Sequence, residues 1–549
     1  MNTNVFRKIW VSLLGCVSLF GVGQVQMVQA EELNPQHVNN NLKSNTTFTQ
    51  GDFTYTVVVD GVKLSKFSSS SDITDVNIPD SVSYNGVKYP VVWLDDSCFL
   101  NCVNMKSVKI PSQVTRLGMF CFSGCSSLTS VEFSSGINIF GSKCFLDCVN
   151  LKSIYIPDGD TFMDDYCFYN CKSLTTARLP NGLKTLNKYC FFKCTSLVHC
   201  DLPATLKTIQ DGCFSNCDSL VNLDIPAGVE SIGELCFNKC YNLKSVSLPS
   251  SVTSLGFACF CDCRSLESID IPSKVTTLGD FCFFKCHKLK HITIPLGLQS
   301  LGEVCFNECT SLTYVDIPSS VTSIGRQCFS YCTNLQSIEI PSSVTFLGAG
   351  CFGECTNLRT VKLSPALTVL NNYCFSCCEN LNSIEIPESV TVIGEGCFMN
   401  CFKLSPVIIP RSMSSLGGFC FAGCKNLKNI QLPASVQSIG ESCLGECDSL
   451  EYVVNHVESP VSASKFSDNE SLIIYVPDKS LEAYRQHSDW NKFRLLPLSS
   501  APGDVVANEP IWDDPQQERA VYDLSGRFLG KQRLPQGKYF QDGRVIIVR

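Results

Sequence analysis

The sequence is poor in the features that mark catalysis, metal binding and nucleic-acid binding. Its 549 residues include only six histidines and carry a formal net charge of −8. That charge argues against a nucleic-acid-binding protein, which usually presents a basic face. The histidines are scattered, and no Ser/His/Asp, Cys/His, paired-carboxylate or phosphate-loop constellation stands outside the pattern described below. We therefore predict no catalytic residues, no metal site, no cofactor and no nucleic-acid partner.

Long apolar runs are absent after the first 30 residues, so we expect no membrane span in the rest of the chain. Residues 1–30 have the pattern of a secretory signal, with Arg7 and Lys8 before an apolar stretch and a small-residue cleavage site at Ala30. A lipoprotein cleavage site at Cys16 is the second interpretation. It is less favoured because apolar sequence continues past Cys16.

A repeat of 23 residues occurs 16 times without any insertion or deletion. Its first copy starts at Cys98 and its last at Cys443. The copy at Cys305 reads C-F-N-E-C-T-S-L-T-Y-V-D-I-P-S-S-V-T-S-I-G-R-Q. A fixed period of this length with recurring Leu and Ile is the signature of a leucine-rich-repeat solenoid. We predict one solenoid over residues 98–465, in which each repeat contacts mainly its neighbours.

The apolar positions within each repeat, counted from its first cysteine, are 1, 2, 5, 8, 11, 13, 17 and 20. Positions 1, 2, 5 and 8 fit one face of a short helical turn, while 11 and 13 alternate as in a strand. We expect short parallel strands on the concave face and short helical turns on the convex face. In the copy at Cys305 the predicted core ladder is Cys305, Phe306, Cys309, Leu312, Val315 and Ile317.

Sequence before the repeats predicts an N-terminal cap over residues 50–97. It contains strand-forming residues from Phe53 to Val59 and a hairpin signal at Asn85-Gly86. A solenoid needs such a cap over its open end. Residues 31–49, rich in polar side chains, are predicted to be a loose leader.

Sequence after the repeats predicts a C-terminal cap over residues 466–498, made of a strand and an amphipathic helix that Leu481, Tyr484 and Trp490 seal. Residues 499–517 are predicted to be a Pro-rich linker. Residues 518–549 are predicted to form a small β unit of two or three short strands.

Cysteine is abundant, with 36 in the chain and 32 of them at positions 1 and 5 of the repeats. In a secreted protein this number suggests a disulfide framework. Residues four apart on a helical turn, however, have Cβ atoms about 5–6 Å apart, whereas a disulfide needs about 3.5–4.5 Å. We therefore favour buried free thiols that act as small apolar side chains. Disulfides between neighbouring repeats are the alternative, and zinc is disfavoured because the spacing lacks partnering histidines.

Positions 10 and 12 of the repeat should face outward, because 11 and 13 face the core. Position 12 is often acidic, and neighbouring strands lie about 4.8 Å apart, so we predict a broken acidic stripe with aromatic and histidine side chains beside it. Charges on an exposed strand can serve only to keep it soluble and to prevent edge pairing, and this explains the acidic residues equally well. The functional interpretation is that they form a partner-binding face. The candidate binding residues are Asp201, Asp224, Asp270, Asp316, Glu339, Glu385, His199, His291, Tyr155 and Tyr314.

The repeat C-F-x-x-C-x-x-L-x-S-I-x-I-P-x-S-V-x-x-I-G resembles the BspA-like (Treponema pallidum type) leucine-rich repeats of bacterial surface proteins, over about residues 50–498. The family usually has Ala at the first cysteine position. This resemblance implies a surface adhesin whose partner is an extracellular protein or glycoprotein of the host matrix or of another bacterium.

The tail, with V-Y-D-L-S-G-R from Val521 and V-I-I-V-R at the end, is similar to the C-terminal sorting signals of type IX secretion in the Bacteroidetes. Lys538 departs from that pattern, where an apolar residue is usual. The similarity implies export to the outer-membrane surface of such a bacterium. The alternative to an adhesin is a structural spacer of the envelope, and an enzyme is the least supported interpretation.

Overall fold

The computed structural model describes residues 45–68 and 73–501, together with the backbone of four short strands between residues 521 and 548. The predicted signal with its alternative at Cys16 lies outside the described residues. So do most of the predicted leader and linker.

Each 23-residue repeat forms one turn of a parallel β-solenoid, and the predicted fold class is confirmed. Most turns contribute a strand of mostly three residues at positions 10–12 and a strand of two residues at positions 19–20. The repeat at Cys305 lacks the first of these strands, and the repeat at Cys443 lacks the second. Both pair in parallel with the equivalent strand of the next repeat, as Ser337 does with Thr360 and Ser323 with Phe346. We call the two sets the first ladder and the second ladder.

The first ladder runs the length of the solenoid in several sheets. Its strands are Asp75–Asn77, Ser107–Ile110, Ser130–Phe133, Ser153–Tyr155, Thr176–Arg178, His199–Asp201, Asn222–Asp224, Ser245–Ser247, Ser268–Asp270, His291–Thr293, Ser337–Glu339, Thr360–Lys362, Ser383–Glu385, Val407–Ile408, Asn429–Leu432, Tyr452–Asn455, Ile473–Val476 and Arg494–Pro497.

The second ladder lies at the other strand-forming part of each turn. Its strands are Arg116–Leu117, Ile139–Phe140, Phe162–Met163, Thr185–Leu186, Thr208–Ile209, Ser231–Ile232, Ser254–Leu255, Thr277–Leu278, Ser300–Leu301, Ser323–Ile324, Phe346–Leu347, Val369–Leu370, Val392–Ile393, Ser415–Leu416 and Ser438–Ile439.

Helical turns are sparse, which differs from the expectation of a helical turn at positions 1–8. These positions form consecutive tight turns, in which the N–H of Cys309 donates to the carbonyl of Phe306 and the N–H of Leu312 to that of Cys309. The helix cannot propagate because positions 4 and 23 have positive φ, as at Glu308 (58°) and Val304 (57°). We expected no disulfide between positions 1 and 5 because residues four apart on a helix are too far apart. These positions do not form a helix, so helical spacing does not exclude that disulfide in this structure.

The core of the solenoid is a stack of phenylalanine rings, one from position 2 of each repeat except the last, which has Leu444 there. From Phe99 to Phe421 neighbouring rings lie 5.0–5.7 Å apart between centroids, with interplanar angles of 2–11°. This offset stacking is a favourable arrangement of aromatic rings. Side chains of the ladder around Phe306 are buried with it, namely Cys305, Cys309, Leu312, Val315 and Ile317.

Antiparallel strands cover the N-terminal end. Thr47–Gln50 pairs with Phe53–Val58, and that strand pairs with Gly61–Phe67. The first of these strands begins at Thr47, inside the segment predicted as leader. Gly61–Phe67 then runs parallel to Val87–Leu94, whose residues Trp93 and Leu94 start the second ladder.

A hairpin completes this end of the molecule. Ser81–Tyr84 pairs with Val87–Leu94 through a two-residue turn, in which Asn85 and Gly86 have φ of 48° and 78°. Positive φ at both central residues is the geometry that Asn-Gly favours in hairpins.

At the C-terminal end two strands of the first ladder flank a short helix, Leu481–Gln486, with single 3₁₀ turns at Asp478–Ser480 and Leu498–Ser500. Tyr484 and Trp490 are fully buried there, and Leu481 is half-buried. In the tail, Val521–Tyr522, Phe528–Gly530, Gly537–Gln541 and Arg544–Val548 form one antiparallel sheet.

Candidate interaction surface

The outward row of the first ladder contains all ten candidate binding residues. In strands such as His291–Thr293 and Ser337–Glu339 the middle residue is buried and the two flanking residues are exposed. At position 10 of this row lie His199, His291 and Tyr314, and at position 12 lie Tyr155, Asp201, Asp224, Asp270, Asp316, Glu339 and Glu385. All ten side chains are exposed.

The six carboxylates are distributed along the row and are not gathered at one point. Asp201 and Asp224 lie in neighbouring repeats, and so do Asp316 and Glu339. With about 4.8 Å between strands, the row from the repeat at Cys190 to the repeat at Cys374 spans roughly 40 Å. This geometry suits an extended contact with a macromolecule better than a small-molecule site.

Salt bridges neutralise only part of the row. Lys362 Nζ lies 2.5 Å from Glu339 Oε1, and Lys109 pairs with Glu132 at 2.8 Å near the N-terminal end. Within the described residues no salt bridge involves the five other carboxylates, Asp201, Asp224, Asp270, Asp316 and Glu385. The middle of the row therefore keeps a negative charge that is open to solvent.

A gap in the first ladder forms a cavity in the same row. Residues 313–316 do not form a strand, and Asp316 makes only an isolated bridge to Thr293. The cavity has a volume of about 290 Å³ and is lined by Tyr314, Val315, Asp316, Ile317, Ser319, Glu339 and Pro341. Three of the predicted residues, Tyr314, Asp316 and Glu339, are thus brought together.

A second cavity, of about 360 Å³, lies over the first three strands of the ladder and was not predicted. Ser107 Oγ donates to Asp75 Oδ1 at 2.5 Å, and hydrogen bonds from Ser107 and Thr74 hold the pKa of Asp75 below its ordinary value. Lys109 and Glu132 on its wall pair with each other. Its charged groups already have partners. Residues 73–79 read I-T-D-V-N-I-P and match the strand part of the repeat, so this match could have located the first strand under the cavity.

The chain itself covers the C-terminal end of the outward face. Leu496, Leu498 and Ala501 pack on the outward side chains Val454 and Tyr475. The open part of the face therefore ends before these strands, near Ile408, which is exposed.

The repeat cysteines are buried free thiols, except Cys102, which is half-buried. At position 5, the thiol of each repeat from Cys125 to Cys447 donates to the carbonyl oxygen of the phenylalanine 26 residues earlier, over 3.0–3.3 Å. Burial raises the pKa of Cys305 to about 12. A protonated, enclosed thiol is a poor nucleophile, so these side chains are structural.

The additional cysteines are more accessible but are not activated. Cys200, Cys261 and Cys377 are half-buried, and burial raises the pKa of Cys261 to about 12 and that of Cys377 above its ordinary value. In the described part of the chain, no three His, Cys, Asp or Glu side chains are grouped so as to hold a metal ion. Nor does that part contain a helix with the length and apolar character needed to cross a membrane.

Comparison with known families places this solenoid in a class. The model of the BspA type leucine rich repeat region matches in six overlapping copies, at residues 39–175, 92–221, 161–286, 207–336, 253–379 and 346–473. These matches extend over most of the chain. The chain belongs to the BspA-type leucine-rich-repeat family.

One solved structure agrees with this assignment, and two others show a weaker likeness. A leucine-rich repeat protein from Bacteroides ovatus is 27% identical with a TM-score of 0.58, covering 82% of this chain and 99% of its own. A leucine rich cell surface protein from Faecalibacterium prausnitzii is 24% identical over 75% of this chain and 95% of its own, with a TM-score of 0.37. The pneumococcal vaccine antigen PcpA is 17% identical over 83% and 98%, with a TM-score of 0.41.

The fold comparison rests on the Bacteroides ovatus structure, because the other two TM-scores lie below 0.5. No curated protein matches the chain.

Proposed function

We propose that this chain is a secreted or surface-attached bacterial binding protein of the adhesin type, without catalysis of its own. It recognises an extracellular protein or glycoprotein, of the host matrix or of another cell, through the outward row of the first ladder. The observation that carries the proposal is a set of five exposed carboxylates at position 12 that have no salt-bridge partner within the described residues: Asp201, Asp224, Asp270, Asp316 and Glu385. The sign of the row favours a partner with a basic surface.

Membership in the BspA-type family supports the general role, because leucine-rich-repeat solenoids present extended surfaces for protein interactions. The Faecalibacterium prausnitzii neighbour is described as a cell surface protein and the pneumococcal one as a vaccine antigen. We extend a surface location to this chain because its repeats are of the BspA type and resemble those of bacterial surface proteins.

The binding experiment uses a panel of extracellular matrix glycoproteins and whole bacterial cells, at about 20 mM and about 150 mM salt. We expect saturable binding to a panel member, weaker at the higher salt. The variant carrying Asp201→Asn, Asp224→Asn, Asp270→Asn and Asp316→Asn should bind about tenfold more weakly, if each exposed pair contributes about 0.3–0.4 kcal/mol.

A matched variant changes the net charge equally at exposed acidic residues outside the outward row: Glu230→Gln, Glu234→Gln, Glu303→Gln and Glu388→Gln. It should bind as the unchanged protein does. Equal weakening in both variants would assign the effect to overall charge and would count against the row.

The second candidate function is a structural spacer of the cell envelope, because repeats that stack regularly along the whole solenoid also make it stiff. Failure to bind any panel member would favour it.

Export is tested separately by protease shaving of intact cells. If the tail is a sorting signal of the type IX kind in a member of the Bacteroidetes, shaving should release the solenoid of the full chain. It should not release the solenoid of a chain that lacks residues 518–549.

A further inference from the structure

Two tyrosine rings at the solenoid surface, the exposed Tyr155 and the half-buried Tyr241, each contact an arginine side chain of this chain. The guanidinium carbon of Arg178 lies 4.5 Å from the ring centre of Tyr155, and that of Arg264 lies 4.7 Å from the ring centre of Tyr241. In both pairs the arginine follows the tyrosine by 23 residues, at the same repeat position. Adjacent repeats therefore set the two side chains next to each other.

A carboxylate completes each of these two arrangements. Arg178 Nη2 lies 3.9 Å from Asp158 Oδ2, and Arg264 Nε donates to Asp262 Oδ1 at 2.7 Å. A planar guanidinium can stack its face on an aromatic ring while its edge donates hydrogen bonds to a carboxylate. The chain thus places an arginine between a tyrosine ring and a carboxylate twice, with the carboxylate at a different repeat position in each case.

Tyr314 and Asp316 provide the tyrosine and the carboxylate of such an arrangement without the arginine. The residue 23 positions after Tyr314 is Ser337. Within the described residues no salt bridge involves Asp316 and no cation–π contact involves Tyr314. Lys362, two repeats after Asp316, pairs with Glu339. Tyr314 is 54% exposed and lines the cavity of about 290 Å³ together with Asp316.

We propose that this cavity binds an arginine side chain presented by the partner protein. The proposal rests on the proposed function and specifies the partner, as a protein segment with an accessible arginine. The guanidinium lies on the Tyr314 ring, and its N–H groups donate to the Asp316 carboxylate. Lysine fits less well, because its ammonium group is a strongly hydrated point charge without a planar face.

The test uses three tripeptides, acetyl-Gly-Arg-Gly-amide and its lysine and citrulline counterparts, titrated into the full-length protein and followed by ligand-observed NMR. Citrulline keeps the planar shape of arginine but has no charge. We expect saturable binding of the arginine peptide, about fivefold or more tighter than that of either counterpart.

A self-blocking variant tests the location without removing a residue of the cavity. Ser337→Arg places an arginine 23 residues after Tyr314, as Arg178 follows Tyr155, and should weaken binding of the arginine peptide about fivefold or more. The matched control is Ser383→Arg. It lies in an identical Ser-Ile-Glu strand and adds the same charge, but the residue 23 positions before it is Thr360.

The arginine peptide should bind the control variant and the unchanged protein equally well. Asp316→Asn should weaken its binding as Ser337→Arg does. The proposal is overturned if the unchanged protein shows no saturable binding, if the citrulline peptide binds equally well, or if both serine variants lose binding to the same extent.

Failure of this proposal is distinguishable from failure of the proposed function. A panel member that binds the unchanged protein and the Ser337→Arg variant with equal affinity would leave the binding function standing and exclude the cavity. Tripeptide binding that Ser337→Arg abolishes, with no panel member bound, would leave the cavity standing and remove the adhesin role.

Discussion

The thiol of Cys309 donates a hydrogen bond to the main-chain carbonyl oxygen of Phe283, over an Sγ–O distance of 3.3 Å. The same carbonyl accepts the N–H of Cys286 at 3.1 Å, so Phe283 O links its own turn to the next repeat. Because the bond recurs along the solenoid, position 5 holds repeats together as well as filling the core.

Replacing Cys309 by alanine should therefore lower stability. Cys309→Ala removes the thiol–carbonyl bond and leaves a small cavity in a fully buried site, and we expect a loss of about 1–2 kcal/mol. The measurement is the shift of the urea unfolding midpoint under reducing conditions. Cys102→Ala is the control, at the same repeat position but half-buried at the N-terminal end. Its effect should be about half as large or less; equal effects would contradict a specific role for the inner thiols.

Thiol titration examines the redox state directly. In denaturant without reductant, nearly all cysteines between Cys98 and Cys447 should react, because the structure holds them as free thiols. In the native state at pH 8 few should react, because most are enclosed and burial raises the pKa of thiols such as Cys305. A denatured count that stays low until reductant is added would show disulfides between neighbouring repeats.

Stability should fall in alkaline solution. Burial raises the pKa of Cys305 and of Cys374 from 9.0 to about 12 in the folded protein. A group with a raised folded pKa contributes stability that is fully present below its unfolded pKa and is lost as pH rises toward the folded pKa. The urea midpoint should therefore be nearly constant from pH 7 to about 8.5 and decrease steadily from about pH 9 to 12. An unchanged midpoint at about pH 10.5 under reducing conditions would contradict burial of the thiols.

The strand ladders were predictable from the sequence, whereas the turns between them were not. Inward residues such as Val315 and Ile317 alternate with outward ones, and that spacing defines the strand face. The left-handed positions, in contrast, are occupied by side chains as different as Glu308 and Val304, where glycine or asparagine is the usual signal. The copy at Cys305 therefore gives no local indication of why the helix does not form. Comparison of the copies does give one, because position 4 is Asn, Gly or Asp in half of them, as at Asn101, Gly124 and Asp262.

The cavity at Tyr314 also could not be predicted from the sequence. The repeat at Cys305 has the same apolar spacing as its neighbours, yet residues 313–316 do not pair as a strand. The exposed positions could be assigned from the period alone. Their grouping around a gap depends on backbone hydrogen bonds that the pattern does not encode.

Gly325 occupies a position where consecutive repeats come into close backbone contact. A Cβ on Gly325 would lie 2.7 Å from the main-chain nitrogen of Glu303 and 2.7 Å from the carbonyl carbon of Gly302. Since rigid backbone atoms cannot give way easily, Gly325→Ala should cost about 2–3 kcal/mol. The readout is the unfolding midpoint in urea.

Gly353→Ala is the matched control for this substitution. A Cβ on Gly353 would meet its nearest atom, the carbonyl oxygen of Tyr373, at 3.4 Å, which is an ordinary contact. That variant should be neutral or more stable by up to about 1 kcal/mol, because alanine restricts the unfolded chain. Similar losses in both variants would show that the close approach at Gly325 does not determine its effect.

The C-terminal end of the solenoid depends on a buried hydrogen-bond chain at Tyr484. The Tyr484 hydroxyl donates to the carbonyl oxygen of Val457 at 2.8 Å and accepts from Asn455 Nδ2 at 3.0 Å. Tyr484→Phe leaves both partners buried without their hydrogen bonds to the hydroxyl, and we expect a loss of about 1–3 kcal/mol in the free energy of unfolding.

Tyr475→Phe is the control for this substitution. Tyr475 is also buried, but its hydroxyl makes no hydrogen bond within the described residues. We expect a change in the free energy of unfolding of less than about 0.5 kcal/mol. Hydrogen exchange of the amides in Ile473–Val476 measures the local effect. Faster exchange in the Tyr484 variant alone would show that this tyrosine closes the end of the stack, whereas equal exchange in both variants would assign closure to apolar packing around Trp490.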